Sequence, residues 1–302
     1  MTDKGIVIRG HGKSFTVRCN GRDIPCEIRG RLKYGAAQIT PVAVGDDVEL
    51  LIAADGTGVI EKVAERRTMF ARPAKTSDTK RQVIAANISQ LGIIVSSKNP
   101  PLKPGLIDRF IIAAEMGDLK PIVIVNKSDL GRPDIADDLE NAYKNIGIPI
   151  LFISAETGEG FTKLTELVKD ERTIFAGHSG VGKSTILNRL VPGLNLKVKE
   201  VSKYSDKGVH TTSAIEMYEI PTGGFVVDSP GIKILRLWEL KQEDLPYYYK
   251  EMEEYLDQCR FTGCSHTHEP DCLVKDAVDK GLIPKFRYEN YVTIYNSLEK
   301  NN

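Results

Sequence analysis

"VNKSDL", residues 125–130, holds Asn126, Lys127 and Asp129 in the pattern N-K-x-D, and the phosphate-loop pattern "GHSGVGKS" follows it at 177–184 rather than preceding it. In the usual chain order of a nucleotide-binding α/β domain the phosphate loop comes first. A binding site, however, depends only on where its parts lie in space. If the chain ends of such a domain lie close together, they can be joined and the chain opened elsewhere without loss of the fold. The reversed order predicts a circularly permuted P-loop α/β domain.

Both motifs have a chemical reason. In "GHSGVGKS" the glycines Gly177, Gly180 and Gly182 let backbone N–H groups close around a phosphate, with His178, Ser179 and Val181 between them and His178 expected to face outward. Lys183 supplies a point charge to the β- and γ-phosphates, the Ser184 hydroxyl ligates Mg²⁺, and Thr185 continues into the helix. The context suits this: "RTIFA" reads as a strand, and "KSTILNRLV" as a helix stopped by Pro192-Gly193. In "NKSD", which includes Ser128, Asp129 can accept from guanine N1–H and the exocyclic amine; adenine would leave that carboxylate unpaired.

Two further loops complete the set. "SAETG", 154–158, ends an apolar strand, and Ser154 and Ala155 stand where a backbone N–H, that of Ala155, is expected to meet guanine O6. "DSPG", 228–231, offers Asp228 to Mg²⁺ through water and the Gly231 N–H to the γ-phosphate. Between them "KYSDKGVHTTS" holds Thr211 and Thr212, either of which can close over the metal. The residue after D-x-x-G is Ile232, which cannot orient water as a glutamine does; His210 is the candidate for that role. Because the 228–231 loop ends the permuted domain, whatever follows hangs directly on it.

The rest of the chain bounds the reading. With 302 residues, 41% apolar and 27% charged, the composition is that of a globular protein of two or three domains. No apolar run is long enough for a bilayer, and "MTDKGIVIRGHG" lacks a secretory core, so a cytoplasmic protein without membrane contact is expected. Net charge is zero, but residues 1–35 carry eight basic side chains (Lys4, Arg9, Lys13, Arg18, Arg22, Arg29, Arg31, Lys33) against three acidic ones (Asp3, Asp23, Glu27). That excess is either a solvated face or an RNA-binding one.

Residues 1–70 read as five short alternating strands punctuated by glycine and Asn-Gly, a small barrel of the OB type that suits RNA binding. "ARPAKTSDTKRQ", 71–82, reads as an irregular linker opening the central α/β domain, 71–235, whose buried parallel strands alternate with helices. Residues 236–302 read as a small α-helical domain, with "ELKQEDLPYYYKEMEEYLDQC" as one helical stretch. Within it "CRFTGCSHTHEPDC" gives C-x4-C-x-H-x5-C: Cys259, Cys264, His266 and Cys272 form a closed, structural zinc set. His268 could substitute for His266, though spacing favours His266. Cys19 and Cys26 have no histidine at metal spacing and read as ordinary thiols.

Taken together, the basic OB-type N-terminus, the order NKSD–SAE–GHSGVGKS–HTT–DSPG and the zinc spacing resemble the RsgA (YjeQ) family of small-ribosomal-subunit-dependent GTPases over nearly the whole chain. The resemblance implies GTP/GDP and Mg²⁺ at the nucleotide site, one structural Zn²⁺, hydrolysis stimulated by the 30S subunit, and a part in late 30S maturation. It also implies barrel contact with 16S rRNA, a zinc domain that docks on the subunit, and a switch histidine matching His210. A monomer is expected. The rival expectations are a nucleotide-dependent RNA-binding scaffold with negligible hydrolysis, which Ile232 favours, and a permuted GTPase serving the large subunit.

Overall fold

The N-terminal segment closes on itself because its turns and its alternation agree. In this computed structural model, which describes residues 2–28, 40–74, 77–196, 215–228, 237 and 240–299, five strands form the barrel. They are β1 (Asp3–His11), β2 (Ser14–Cys19), β3 (Arg22–Ile28), β4 (Asp47–Ile52) and β5 (Gly58–Val63). The turn between β2 and β3 is Asn20-Gly21, both with positive φ (49° and 75°), as a tight hairpin requires. The pairings β1–β2, β2–β3 and β4–β5 are antiparallel, β3–β5 is parallel, and β1–β4 closes the ring, so each of the five described strands has a partner on both sides. This is the expected OB-type order. Inward residues Val7, Phe15, Val17, Leu50 and Ile60 fill it together with Cys19 and Cys26. Burial pushes the Cys26 thiol up to about 11, which makes it an inert core residue.

The stretch read as a linker is a hairpin. Strands β6 (Met69–Ala74) and β7 (Ser77–Ala86) pair antiparallel, and the end of β7 meets the barrel through a Val44–Ala85 bridge. Polar composition between its ends hid it: Phe70 and Ala71 of β6 and Val83, Ile84, Ala85 and Ala86 of β7 turn into the core.

The central sheet runs β10-β9-β8-β11-β13-β12. Its parallel strands are β8 (Gln90–Ser96), β9 (Lys120–Asn126), β10 (Ile150–Phe152), β11 (Arg172–Ala176) and β13 (Phe225–Asp228); β12 (Ile215–Glu219) is antiparallel. Every residue of β8 is buried, which is why it reads as one apolar run. Helices α1 (Pro104–Glu115) and α2 (Ala136–Asn145) cover one face through Phe110, Ile111 and Leu139. Helices α3 (Phe161–Val168) and α4 (Lys183–Leu190) cover the other through Leu164, Ile186 and Leu187. No helix among the described residues is long and apolar enough to cross a membrane.

Strand β12 also pairs with β1, so barrel and central sheet merge into one eleven-stranded sheet. Arg9 bonds Glu216 across this seam, and Arg18 bonds Glu219 at 3.0 Å.

The C-terminal region is only partly α-helical. Residues Gln242–Tyr248 and Lys250–Tyr255 form two 3₁₀ segments where one helix was expected. Pro246 removes a backbone donor, and Tyr249 interrupts the run with φ −113° and ψ 87°. Helices α5 (Leu273–Asp279) and α6 (Lys285–Glu299) follow, sharing a core with Ile112 of α1. The anchor is Arg287, 1% exposed, between Asp108 of α1 and Glu251. Tyr143 (2.8 Å) and Asn290 (2.7 Å) donate to the same Asp108 carboxylate, and the guanidinium lies 4.6 Å from the Tyr249 ring centre.

Candidate functional site

Strands β9, β10, β11 and β13 end at one edge of the sheet, and the loops that follow them carry the motifs. In an open α/β sheet this is the edge that binds ligands. The phosphate loop leaves β11 at Gly177. An added Cβ there would stand 2.1 Å from the Ile94 carbonyl oxygen, and one on Gly182 (φ +96°) 2.2 Å from Asn126 Nδ2. Both positions are closed to any side chain, which is the physical content of the glycine pattern. Gly180 also has positive φ, at 81°. His178 and Ser179 are exposed, while Val181 is buried.

Helix α4 starts at Lys183, directly after Gly182, so Ser184 and Thr185 stand in its first turn. Lys183 Nζ donates to the carbonyls of Gly177 (2.8 Å) and His178 (3.0 Å), which holds its charge over the loop. Burial lowers the Lys183 pKa, and the negative charge of Asp228 opposes that shift. Asp228 ends β13 opposite Phe175 of β11, at the phosphate-loop side of the sheet.

The base-reading motif is built into the phosphate loop. The Asn126 side chain, 2% exposed, donates through Nδ2 to the Val181 carbonyl (2.9 Å) and accepts through Oδ1 from the Ala155 N–H (3.0 Å). One donor and one acceptor in these places fix the orientation of the amide and leave its second N–H for a ligand. The Ala155 N–H expected at guanine O6 is thus engaged by Asn126. Lys127 takes the left-handed conformation (φ 65°) and bonds the Asn99 carbonyl. Ser154, fully buried, donates to Asp129 Oδ1 at 2.6 Å and accepts from the Thr157 N–H at 3.1 Å. The carboxylate that would read the base is therefore held in one orientation. Ser128 Oγ donates to Glu159 at 2.9 Å.

The geometry brings Asn126, Lys127, Ser128, Asp129, Ser154, Ala155, the 177–185 segment and Asp228 to one edge. His210, Thr211, Thr212, Gly231 and Ile232 lie outside the described residues. Sequence reasoning missed Glu159 and Arg189, which bond the base-reading loops. Neither had a signal: an arginine in the last turn of a helix ordinarily reads as a partner of the helix dipole.

The second candidate site lies beyond the 3₁₀ segments. Ligand atoms of Cys259, Cys264, His266 and Cys272 all lie within 4.8 Å of one another. Cys259 and Cys272 sulfurs are 3.9 Å apart, and His266 Nδ1 is 3.6 and 3.4 Å from them. A tetrahedral ion with Zn–S near 2.3 Å requires sulfur–sulfur edges of about 3.8 Å, so the set fits zinc. Burial raises the Cys264 thiol to about 12 and lowers the His266 pKa; a cation here would supply the charge that stabilises thiolates, and the neutral imidazole is its ligand form. The loop is fixed from α6, where Tyr288 donates to the His266 carbonyl (3.0 Å) and Tyr291 to that of Ser265 (2.7 Å). His268, its side chain 83% exposed, bonds Thr267 at 3.0 Å and stands apart from the cluster.

Comparison with known proteins agrees over the full length. The RsgA GTPase family profile matches residues 63–238, and that of the RsgA N-terminal domain matches 4–60. The small ribosomal subunit biogenesis GTPase RsgA of Chlorobaculum tepidum is 40% identical over 307 residues, covering 98% of each chain. That of Bacteroides fragilis is 36% identical over 302 residues, covering 98% of this chain and 97% of its own. Among solved structures, YjeQ from Thermotoga maritima superposes with a TM-score of 0.78 at 34% identity over 99% of both chains. YloQ, described as a circularly permuted GTPase, gives 0.75 at 28% identity over 100% of this chain and 96% of its own.

Proposed function

The chain belongs to the RsgA GTPase family, and from that premise we propose that it hydrolyses GTP to GDP and phosphate when engaged with the small ribosomal subunit, late in that subunit's maturation. The observation that carries the reading is the Asn126 amide, which ties the phosphate loop to the base-reading loop at the ligand-binding edge of the sheet. The glycines at 177, 180 and 182 and the N–H groups of α4 receive the phosphates, Lys183 neutralises them, and Asp129 with its Ser154 support selects guanine. Ser184, Asp228 and one of Thr211 and Thr212 would hold Mg²⁺, whose charge offsets that developing on the phosphates. His210 orients water where Ile232 cannot. Cys259, Cys264, His266 and Cys272 hold a zinc ion that folds the C-terminal region and takes no part in hydrolysis.

The basic barrel contacts the 16S rRNA of the subunit, and the protein works as a cytoplasmic monomer. Ile232 supports one rival, a nucleotide-dependent RNA-binding scaffold whose hydrolysis is negligible. The deciding experiment is the steady-state GTP hydrolysis rate of the protein alone, with small subunits, and with large subunits. Stimulation by small subunits alone is expected. A rate that stays low with both would transfer the assignment to the scaffold, and stimulation by large subunits would redirect the partner.

A further inference from the structure

Arg189, in the last turn of α4, grips the loop that follows β10. Its Nη1 donates to the carbonyls of Ala155 (3.1 Å) and Glu156 (3.3 Å), and its Nη2 to that of Thr157 (3.4 Å). The guanidinium lies 5.2 Å from the Phe161 ring centre. Gly158 leaves the room for it, since a Cβ there would stand 2.2 Å from Nη2. The outer side of the arginine is open to water.

Peptide planarity turns this grip into a means of orientation. In a trans peptide the C=O and N–H point in opposite directions, so drawing three successive carbonyls toward α4 turns the N–H groups of the following residues away from it. The Thr157 N–H accordingly meets Ser154 Oγ (3.1 Å), the same oxygen that donates to Asp129, and the Gly158 N–H meets the Ser154 carbonyl (2.8 Å). The Ala155 N–H is bonded to Asn126, while the Glu156 N–H has no acceptor among the described residues. Helix α4 therefore presents Lys183 to the phosphates at one end and holds the base-reading loop at the other.

We propose that Arg189 is a positioning residue for guanine recognition, fixing the 155–157 loop so that the Glu156 N–H is left for the O6 of the base. The inference rests on the reading of this edge as a guanine-nucleotide site. A planar guanidinium holds its donors in a rigid fork, so it fixes the direction of the carbonyls it meets, which the freely rotating ammonium of lysine does less well.

The test compares three nucleotides on wild type, Arg189→Ala and Arg189→Lys. 6-Thio-GDP replaces O6 with a weak acceptor and keeps N1–H and the 2-amino group, whereas IDP keeps O6 and lacks the amine. Arg189→Ala is expected to weaken GDP binding about five- to tenfold, as for hydrogen bonds lost at a half-solvated site. The preference for GDP over 6-thio-GDP should collapse toward unity, while the preference for GDP over IDP, which reports Asp129, is retained. Arg189→Lys should fall between. If Arg189→Ala weakens GDP and 6-thio-GDP equally, or weakens neither, the positioning role is overturned and the residue serves only the fold. A wild-type protein that holds GDP no better than ADP would overturn the guanine reading, and the inference with it.

Discussion

Asn126 and Val181 belong to different motifs and are joined by one hydrogen bond of 2.9 Å, from the side-chain amide of the first to the carbonyl of the second. Residues that are 55 positions apart, and in reverse of the usual chain order, thus form a single unit. Gly182 stands against the same amide, so both elements of the phosphate loop are set by a residue of the base-reading motif.

Replacing Asn126 by alanine leaves the Val181 carbonyl and the Ala155 N–H without their partner. Each orphaned buried group costs about 1–3 kcal/mol. Asn126→Ala should therefore lower the melting temperature as well as weaken GDP binding by at least about a hundredfold, on the order of 3 kcal/mol. Fluorescent-GDP titration beside thermal unfolding checks both. A variant that loses affinity at unchanged stability would place Asn126 in ligand contact alone.

Lys183 gives a pH dependence. Burial lowers its pKa from the ordinary lysine value, with Asp228 opposing. A lysine depressed in the folded state destabilises the fold while charged. That cost fades as pH rises from the folded to the unfolded pKa. Phosphate favours the charged form, so GDP binding should take up protons in the alkaline range below the ordinary lysine value, and affinity should fall there. Calorimetry in buffers of different ionisation enthalpy measures the uptake; its absence would count against a lowered Lys183.

Zinc should be stoichiometric and structural. Elemental analysis should give one zinc per chain, lost in Cys264→Ser. A strong chelator should lower the melting temperature, and zinc, but not magnesium, should restore it. Hydrogen exchange should speed up between Cys259 and Cys272 and leave the barrel unchanged.

The Arg287–Asp108 contact should be costly to break from one side. Asp108→Ala removes one of two carboxylates from a buried guanidinium and should destabilise by about 3–5 kcal/mol. Asp108→Leu, Arg287→Met and Glu251→Gln combined should cost less than Asp108→Ala alone, since all three charges then leave together and no buried charge lacks a partner. Denaturant unfolding of these variants decides it.

What was legible in the sequence was local. The Asn20-Gly21 turn, the fully buried run of β8, the glycines of the phosphate loop and the Cys/His cluster at 259–272 each declare themselves within a few residues. What was not legible depends on distant partners. Strand β12, "IEMYE", lies between β13 and the barrel and is largely half-buried, so it shows no clear alternation. The β6–β7 hairpin looked like a linker because the sequence in its middle, 75–82, is polar. Pro246 and the break at Tyr249 turned an amphipathic helical pattern into 3₁₀ segments. Arg287, at the start of a helix, reads as a solvated charge, and nothing near it in sequence announces its burial.

The same arginine bears on how the chain comes to be made. Asp108 lies on α1, which packs on the parallel sheet, and its partner comes 179 residues later. Synthesis runs from the N-terminus, so the barrel and the whole parallel sheet can assemble while the carboxylate of Asp108 still waits for its counter-ion. Closing so long a loop is only modestly costlier in entropy than closing a short one, but it cannot happen before the residue exists. Helix α6, translated long after α1, is thus the one that seals it.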